Sequence, residues 1–177
     1  ALTVKSSAIS GNTVTSLTQA VGGAAIALFN NSAGLLLIDS TVTNNVAAGN
    51  QARGGGIHVA GDSVVDVQRS TVSGNQSGED GGGIYFVFGG DLSITDSTVS
   101  GNKSNITAAG AGGAGVYLFG TRAVIRNSTI TGNQANSGPV PSPGGGIVAR
   151  FNSALALQNS TVVFNSDNTS ANISANF

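Results

Sequence analysis

Asp96-Ser97-Thr98-Val99-Ser100-Gly101-Asn102, with Leu92-Ser93-Ile94 just before it and Gly81-Gly82-Gly83-Ile84 further back, decides the fold. Val99 is the one large apolar residue in a run of small polar ones. Leu92 and Ile94 stand two residues apart, which is the period of a strand and not of a helix. All three elements recur. DSTVSGN at 96–102 returns as SSAISGN at 6–12, DSTVTNN at 39–45, RSTVSGN at 69–75, NSTITGN at 127–133 and NSTVVFN at 159–165. GGGI at 81–84 returns at 54–57 and 144–147, as GAGV at 113–116 and as a degenerate GAAI at 23–26. The alternating pair returns as Leu2/Val4, Leu35/Leu37, Val65/Val67, Ala123/Ile125 and Leu155/Leu157.

A repeat of 27–33 residues holding three short strands and no helical stripe specifies an all-β, parallel β-solenoid of about six coils. One coil cannot bury its own apolar face, so the stack forms a single domain over residues 1–177. Inward positions fall on the alternating pairs, on the Val or Ile of each STV element, and on Ile26, Ile57, Ile84, Val116 and Ile147. Length variation concentrates between the motif Asn and the Gly run. Solenoids place such insertions on one corner, which often carries binding.

Only 8% of the residues are charged, with net charge −1, 27 Gly and no Cys. This balance excludes binding driven by phosphate neutralisation, so no nucleic acid partner is expected. No apolar run approaches the roughly 18 residues of a membrane helix. Without Cys there is neither a disulfide framework nor a thiolate metal site. Scarce charge suits a stack in which each side chain lies about 4.8 Å from its own equivalent. Stacking also makes columns. Asn12, Asn45, Asn75, Asn102, Asn133 and Asn165 are expected to form an amide ladder. Asp39, Arg69 and Asp96 share a column and are expected to pair, as are Asp91 and Arg122.

GGG[IV] followed by [VI]xxN, repeated along essentially the whole chain, resembles the repeat of bacterial right-handed parallel β-helix surface proteins. These are related to polymorphic outer-membrane protein and autotransporter passenger repeats. The Phe of that family's FxxN signature is Val or Ile here in every copy. The resemblance implies a right-handed coil and an extracellular or cell-surface location. No cofactor is implied.

The expected function is a non-enzymatic structural protein whose subunits stack head to tail into a filament or surface fibre. Leu2 and Val4 at one end, and Ile173 and Phe177 at the other, are the candidate assembly residues. Leu2-Thr3-Val4 is in phase with Leu92-Ser93-Ile94, and the sequence stops twelve residues after Asn165, where the next Gly-run strand would begin. Three alternatives stay open. A surface adhesin fragment would bind glycans near Tyr85, Phe86 and Phe88. A pectate-lyase-like enzyme would need convergent carboxylates, for which Asp62 and Asp91 are the candidates. An ice-binding solenoid would use the outward Thr41/Thr43, Thr71/Ser73, Thr98/Ser100, Thr129/Thr131 and Thr161/Val163. His58 is the only histidine, which leaves no catalytic triad. Glu79 and Asp80 are the candidate calcium ligands. Asn105, Asn168 and Asn172 are the candidate glycosylation acceptors.

Overall fold

A computed structural model describes residues 1–15, 21–29, 34–106, 112–137, 144–167 and 172–176. The alternating segments Leu2–Lys5, Leu35–Ile38, Val64–Gln68, Asp91–Thr95, Arg122–Arg126 and Ala154–Gln158 pair in parallel as one six-stranded sheet. The STV segments Ala8–Ser10, Thr41–Thr43, Thr71–Ser73, Thr98–Ser100, Thr129–Thr131 and Thr161–Val163 form a second. Segments following the Gly runs, Ile26–Phe29, Ile57–Ala60, Ile84–Val87, Val116–Phe119, Ile147–Arg150 and Ile173–Asn176, form a third. Register keeps each expected column intact: Leu2, Leu35, Val65, Leu92, Ala123 and Leu155 lie side by side across six coils.

The sequence reading expects three strands per coil, and the structure has a fourth. Thr13–Thr15, Val46–Ala48, Gln76–Ser77, Lys103–Ile106 and Gln134–Ser137 make a five-stranded sheet directly after the motif Asn. Their inward positions are small, with Ala47, Ser77, Ser104 and Ala135 all buried. Side chains this short give no hydrophobic alternation to read. Among the described residues no helix is long and apolar enough to cross a membrane.

The bore is filled by the inward residues of the three main sheets, including Leu37, Val42, Ile57, Val72, Ile84, Phe86, Ile94 and Ile130, all fully buried. Two side-chain ladders flank the STV strand. In the expected one, Asn102 Oδ1 accepts from both the backbone N–H and the Nδ2 of Asn75, at 3.0 Å each. Asn102 Nδ2 donates onward to Asn133 Oδ1 at 2.9 Å and to the Val72 carbonyl at 3.0 Å. The other ladder is not visible in the sequence reading. Backbone N–H groups of Ser7, Ser40, Ser70, Ser97 and Ser128 donate to the hydroxyl of the motif Ser one coil on, at 3.0–3.2 Å. The corner N–H groups of each motif are so satisfied by the motif side chains of the next coil, as a buried turn requires.

The corners themselves are left-handed. Residues preceding the motif Ser, namely Ser6, Asp39, Arg69, Asp96, Asn127 and Asn159, all have φ between 44° and 52°. Asp and Asn tolerate this region better than most residues, which accounts for the composition of the column. Charge pairing is secondary there: Arg69 grips Asp39 at 2.7 and 3.1 Å, whereas Asp96 forms no ion pair with it. The expected three-member ladder reduces to one pair. The residue before the motif Asn is also left-handed, at Gly11, Asn44, Gly74, Gly101, Gly132 and Phe164. The third Gly of each run faces the amide ladder. A Cβ on Gly83 would lie 2.6 Å from the Gly115 carbonyl oxygen and 3.0 Å from the Asn102 amide. The two sequence motifs are therefore a single packing unit.

At the last coil the structure departs from expectation. Ile173–Asn176 already forms the next Gly-run strand, with Ile173 opposite Ile147. Asn172 then stands in the third-Gly column, where its carbonyl accepts from Ile147 N–H at 2.9 Å. Its Oδ1 faces the backbone N–H and Nδ2 of Asn165, at 3.3 and 3.2 Å. The amide column thus gains a seventh member. Asn172, a candidate glycan acceptor, places its side-chain oxygen in this ladder. Phe177 and Asn168 lie outside the described residues, as does the side chain of Asn105.

Candidate functional site

Alternate residues of the Gly-run sheet point away from the bore. One outward column runs Ala27, His58, Tyr85, Tyr117, Val148; its neighbour runs Phe29, Ala60, Val87, Phe119, Arg150. Outward residues of a solenoid are normally wet, yet His58, Tyr85, Val87, Tyr117 and Val148 are all buried. Tyr85, Val87, Tyr117 and Val148 form a second apolar cluster outside the bore, with Ala60 and Phe119 against it. Stacking the coils brings the rings together. Phe29, His58, Tyr85 and Tyr117 follow one another at centroid distances of 4.9, 5.0 and 5.2 Å. Phe88, Phe119 and Phe151 form a parallel row at 5.9 and 4.7 Å.

The corner just before the Gly run sets charge beside these rings. Val21–Gly22 pairs with Ala52–Arg53, so Gly22 lies next to Arg53, and the Asp80 carbonyl accepts from Gly54 N–H one coil on. Gly22 makes room here, because a Cβ would fall 1.9 Å from His58 Nδ1. Arg53 Nη2 lies 2.6 Å from Glu79 Oε2, and Arg53 Nε lies 3.6 Å from Asp80 Oδ2. Its guanidinium sits 5.7 Å from the Tyr85 ring centroid, a cation–π contact. Asp80 Oδ1 accepts from Gly112 N–H at 2.8 Å. Arg53 Nε is buried without a hydrogen-bond partner among the described residues, whereas Glu79 Oε2 is held by Arg53 Nη2.

Burial dominates the titration of this cluster. It pushes the Asp80 carboxyl up to about 7, and Glu79 pushes the same way, against the Gly112 N–H and Arg53. Burial drives the His58 imidazole below its ordinary value. That direction favours the neutral ring. Its Nδ1 lies 3.3 Å from the Arg53 carbonyl, which can only accept, so Nδ1 carries the proton and Nε2 is the acceptor. Desolvation opposes the charge of Arg53, but Tyr85, Glu79 and Asp80 together outweigh it and raise its pKa. Burial also raises the Tyr85 hydroxyl, and pushes that of Tyr117 up to about 12. A groove of roughly 170 Å³ opens over this floor, between Phe29, Gln51, Arg53, His58, Tyr85 and Phe88.

Of the residues expected near a glycan, Tyr85 and Phe88 border this groove, whereas Phe86 points into the bore and is fully buried. Alternation explains the split: Phe86 shares the inward phase of Ile84, and Tyr85 does not. Arg53, His58 and Gln51 were not singled out as glycan contacts. The signal available was their place at the variable corner, one to three residues before a Gly run or inside its strand. Glu79 and Asp80, the candidate calcium ligands, face Arg53 instead. No group of three or more His, Cys, Asp or Glu suited to a metal occurs among the described residues. Asp91 gives both carboxylate oxygens to Arg122, at 2.7 and 3.0 Å, and Asp62 acts electrostatically on the same guanidinium. The STV sheet carries its hydroxyl columns in register, Thr41, Thr71, Thr98, Thr129 and Thr161 in one and Thr43, Ser73, Ser100 and Thr131 in the other. Ala8 opens the first column and Val163 closes the second.

The family model described as the right-handed β-helix region matches residues 2–176. Comparison with curated proteins and with solved structures returns no match. Coils, ladders and match agree over nearly the whole chain, which belongs to the right-handed β-helix family.

Proposed function

We propose that this chain is a non-enzymatic, extracellular or cell-surface β-helix that binds glycans on the outer face of its Gly-run sheet. One observation carries the reading: a buried aromatic floor with charged walls stands outside the bore, where the solenoid's own packing has no need of it. Aromatic rings edged by a few planar polar groups suit carbohydrate, whose C–H faces are apolar and whose hydroxyls both donate and accept. The setting is that of a surface adhesin, by resemblance to bacterial passenger repeats. The test is a glycan array probed with the labelled chain and with a Phe88→Ala variant. Retention of a defined glycan set by the parent, lost in the variant, is expected. An array with no retained glycan sinks the proposal.

A second reading, self-stacking into a filament, is favoured by the phase of the outer strands. Leu2/Val4 and Leu155/Leu157 present the same inward columns at opposite edges, with Leu2 45% and Leu157 38% exposed. A further coil, from a continuation of this chain or from another copy, would bury them. Asn172 occupies the amide position that such a coil would supply, so stacking requires it to yield. Electron microscopy of concentrated protein decides: filaments support this reading, and uniform monomers remove it.

A further inference from the structure

Within each aromatic row, neighbours one coil away consume the ring faces. Tyr85 and Tyr117 lie 15° from parallel at 5.2 Å, and Phe119 and Phe151 lie 5° from parallel at 4.7 Å. Phe88 breaks the pattern. It meets Phe119 at 74°, edge to face, and remains 67% exposed at the border of the groove. Its backbone is left-handed, with φ 69°, which ends the strand after Val87 and leaves the ring at the border of the groove.

The guanidinium that lines the groove is already paired. Arg53 lies against Glu79 at 2.6 Å and near Asp80 at 3.6 Å, so a ligand bringing its own formal charge would meet no unpaired counter-charge. What the walls offer is a mixture of donors and acceptors. Arg53, 29% exposed, donates; exposed Gln51 does both; His58 Nε2 accepts. The roughly 170 Å³ of space admits one sugar ring and little more.

We infer that the groove takes a single uncharged pyranose, its C–H face on the Phe88 ring and its hydroxyls on Arg53, Gln51 and His58. This rests on the glycan-binding reading above and names the class of sugar. A ring stacked on Phe88 keeps its apolar face from water, while vicinal hydroxyls match the planar ends of Arg53 and Gln51. A uronate carboxylate would have to compete for an Arg53 already held by Glu79 and Asp80. Amino sugars bring a cation toward Arg53. Both are disfavoured by the charges already present.

The experiment is an NMR titration of the whole 177-residue chain, following the ring signals of Phe88, Tyr85 and Phe29. The probes are methyl β-glucopyranoside, methyl β-galactopyranoside, glucuronate and glucosamine. The expected result is saturable shifts at those rings with at least one neutral glycoside, weakened at least tenfold by Phe88→Ala and several-fold by Gln51→Ala. Both residues are exposed, so neither truncation removes core packing, and unchanged backbone spectra confirm the fold. Equal or tighter groove binding of glucuronate or glucosamine overturns the uncharged-ring inference and leaves glycan binding standing. Shifts confined to another face, or undiminished in Phe88→Ala, overturn it likewise. If no probe shifts any signal while the array retains glycans, the inference fails alone; if the array is also blank, both fail.

Discussion

Replacing Asn102 by Ala should cost far more than replacing Asn12, although both occupy the same column. Asn102 is fully buried and makes four hydrogen bonds through its side chain. Truncation leaves the Asn75 backbone N–H and one Asn75 amide hydrogen without an acceptor, both at a site closed to water. Asn133 Oδ1 keeps the Asn102 backbone N–H as donor, so the damage on that side is smaller. Two orphaned buried donors, at about 1–3 kcal/mol each, give roughly 2–6 kcal/mol. Asn12 is exposed, and its amide donates only to Asn45 Oδ1 and the Ser10 carbonyl. Asn45 Oδ1 keeps the Asn12 backbone N–H, so Asn12→Ala should cost less than about 1 kcal/mol. Urea unfolding of the two variants beside the parent measures the difference, with the slope checked because a coil array need not unfold in one step. If Asn102→Ala falls within about 1 kcal/mol of the parent, stacked amides do not hold the coils and the reasoning is wrong.

Phe164 occupies a left-handed corner, φ 56°, that Gly fills in four other copies, and its side chain is 86% exposed. Phe164→Gly should therefore stabilise by about 1 kcal/mol, read as a raised urea midpoint; a lowered one refutes it. Gly83→Ala should destabilise by about 2–3 kcal/mol, because its Cβ meets the Gly115 carbonyl and the Asn102 amide. An unchanged midpoint would show that the corner has slack. Asp80 has its pKa raised from 3.8 to about 7 by burial, so the folded state holds its proton longer than the unfolded one. Its stabilising contribution is complete below about pH 4 and is lost as pH rises through about 7. Unfolding midpoints at pH 5 and pH 8 should differ, and Asp80→Asn, which keeps an acceptor for Gly112 N–H, should flatten that slope; equal slopes would overturn the assignment.

The columns were legible because they depend on local alternation and on a repeat long enough to count. Val42, Val72, Val99 and Ile130 are inward for reasons contained in three residues each. Features that depend on backbone sign were not legible. Asp39 and Asp96 read as charges, while the structure uses them as residues that accept φ near 50°. The Ser ladder was hidden because Ser in STV reads equally well as an outward strand residue. Ile173 reads as an end residue and not as part of a paired strand, because Asn172 stands where four other coils carry the third Gly and the Gly-run signal is absent although the strand forms.

Tyr85 exposes the larger limit. Alternation fixes that it points away from Ile84 and Phe86, and sequence reasoning then assigns it to solvent. Whether an outward residue is wet depends on what the neighbouring coils set around it. Here Tyr117 lies on one side, His58 on the other, and Arg53 reaches across from the preceding corner. None of the three is near Tyr85 in sequence; each arrives because a coil of about thirty residues returns the chain to the same place. Columns convert spacing into contact, so in this fold a site is written across copies. A single His, Arg or Tyr that looks incidental in its own repeat acquires a role from the residues above and below it. The inner face repeats because every coil must fill the same bore. The outer face is free to differ from coil to coil, as the column Ala27, His58, Tyr85, Tyr117 and Val148 does.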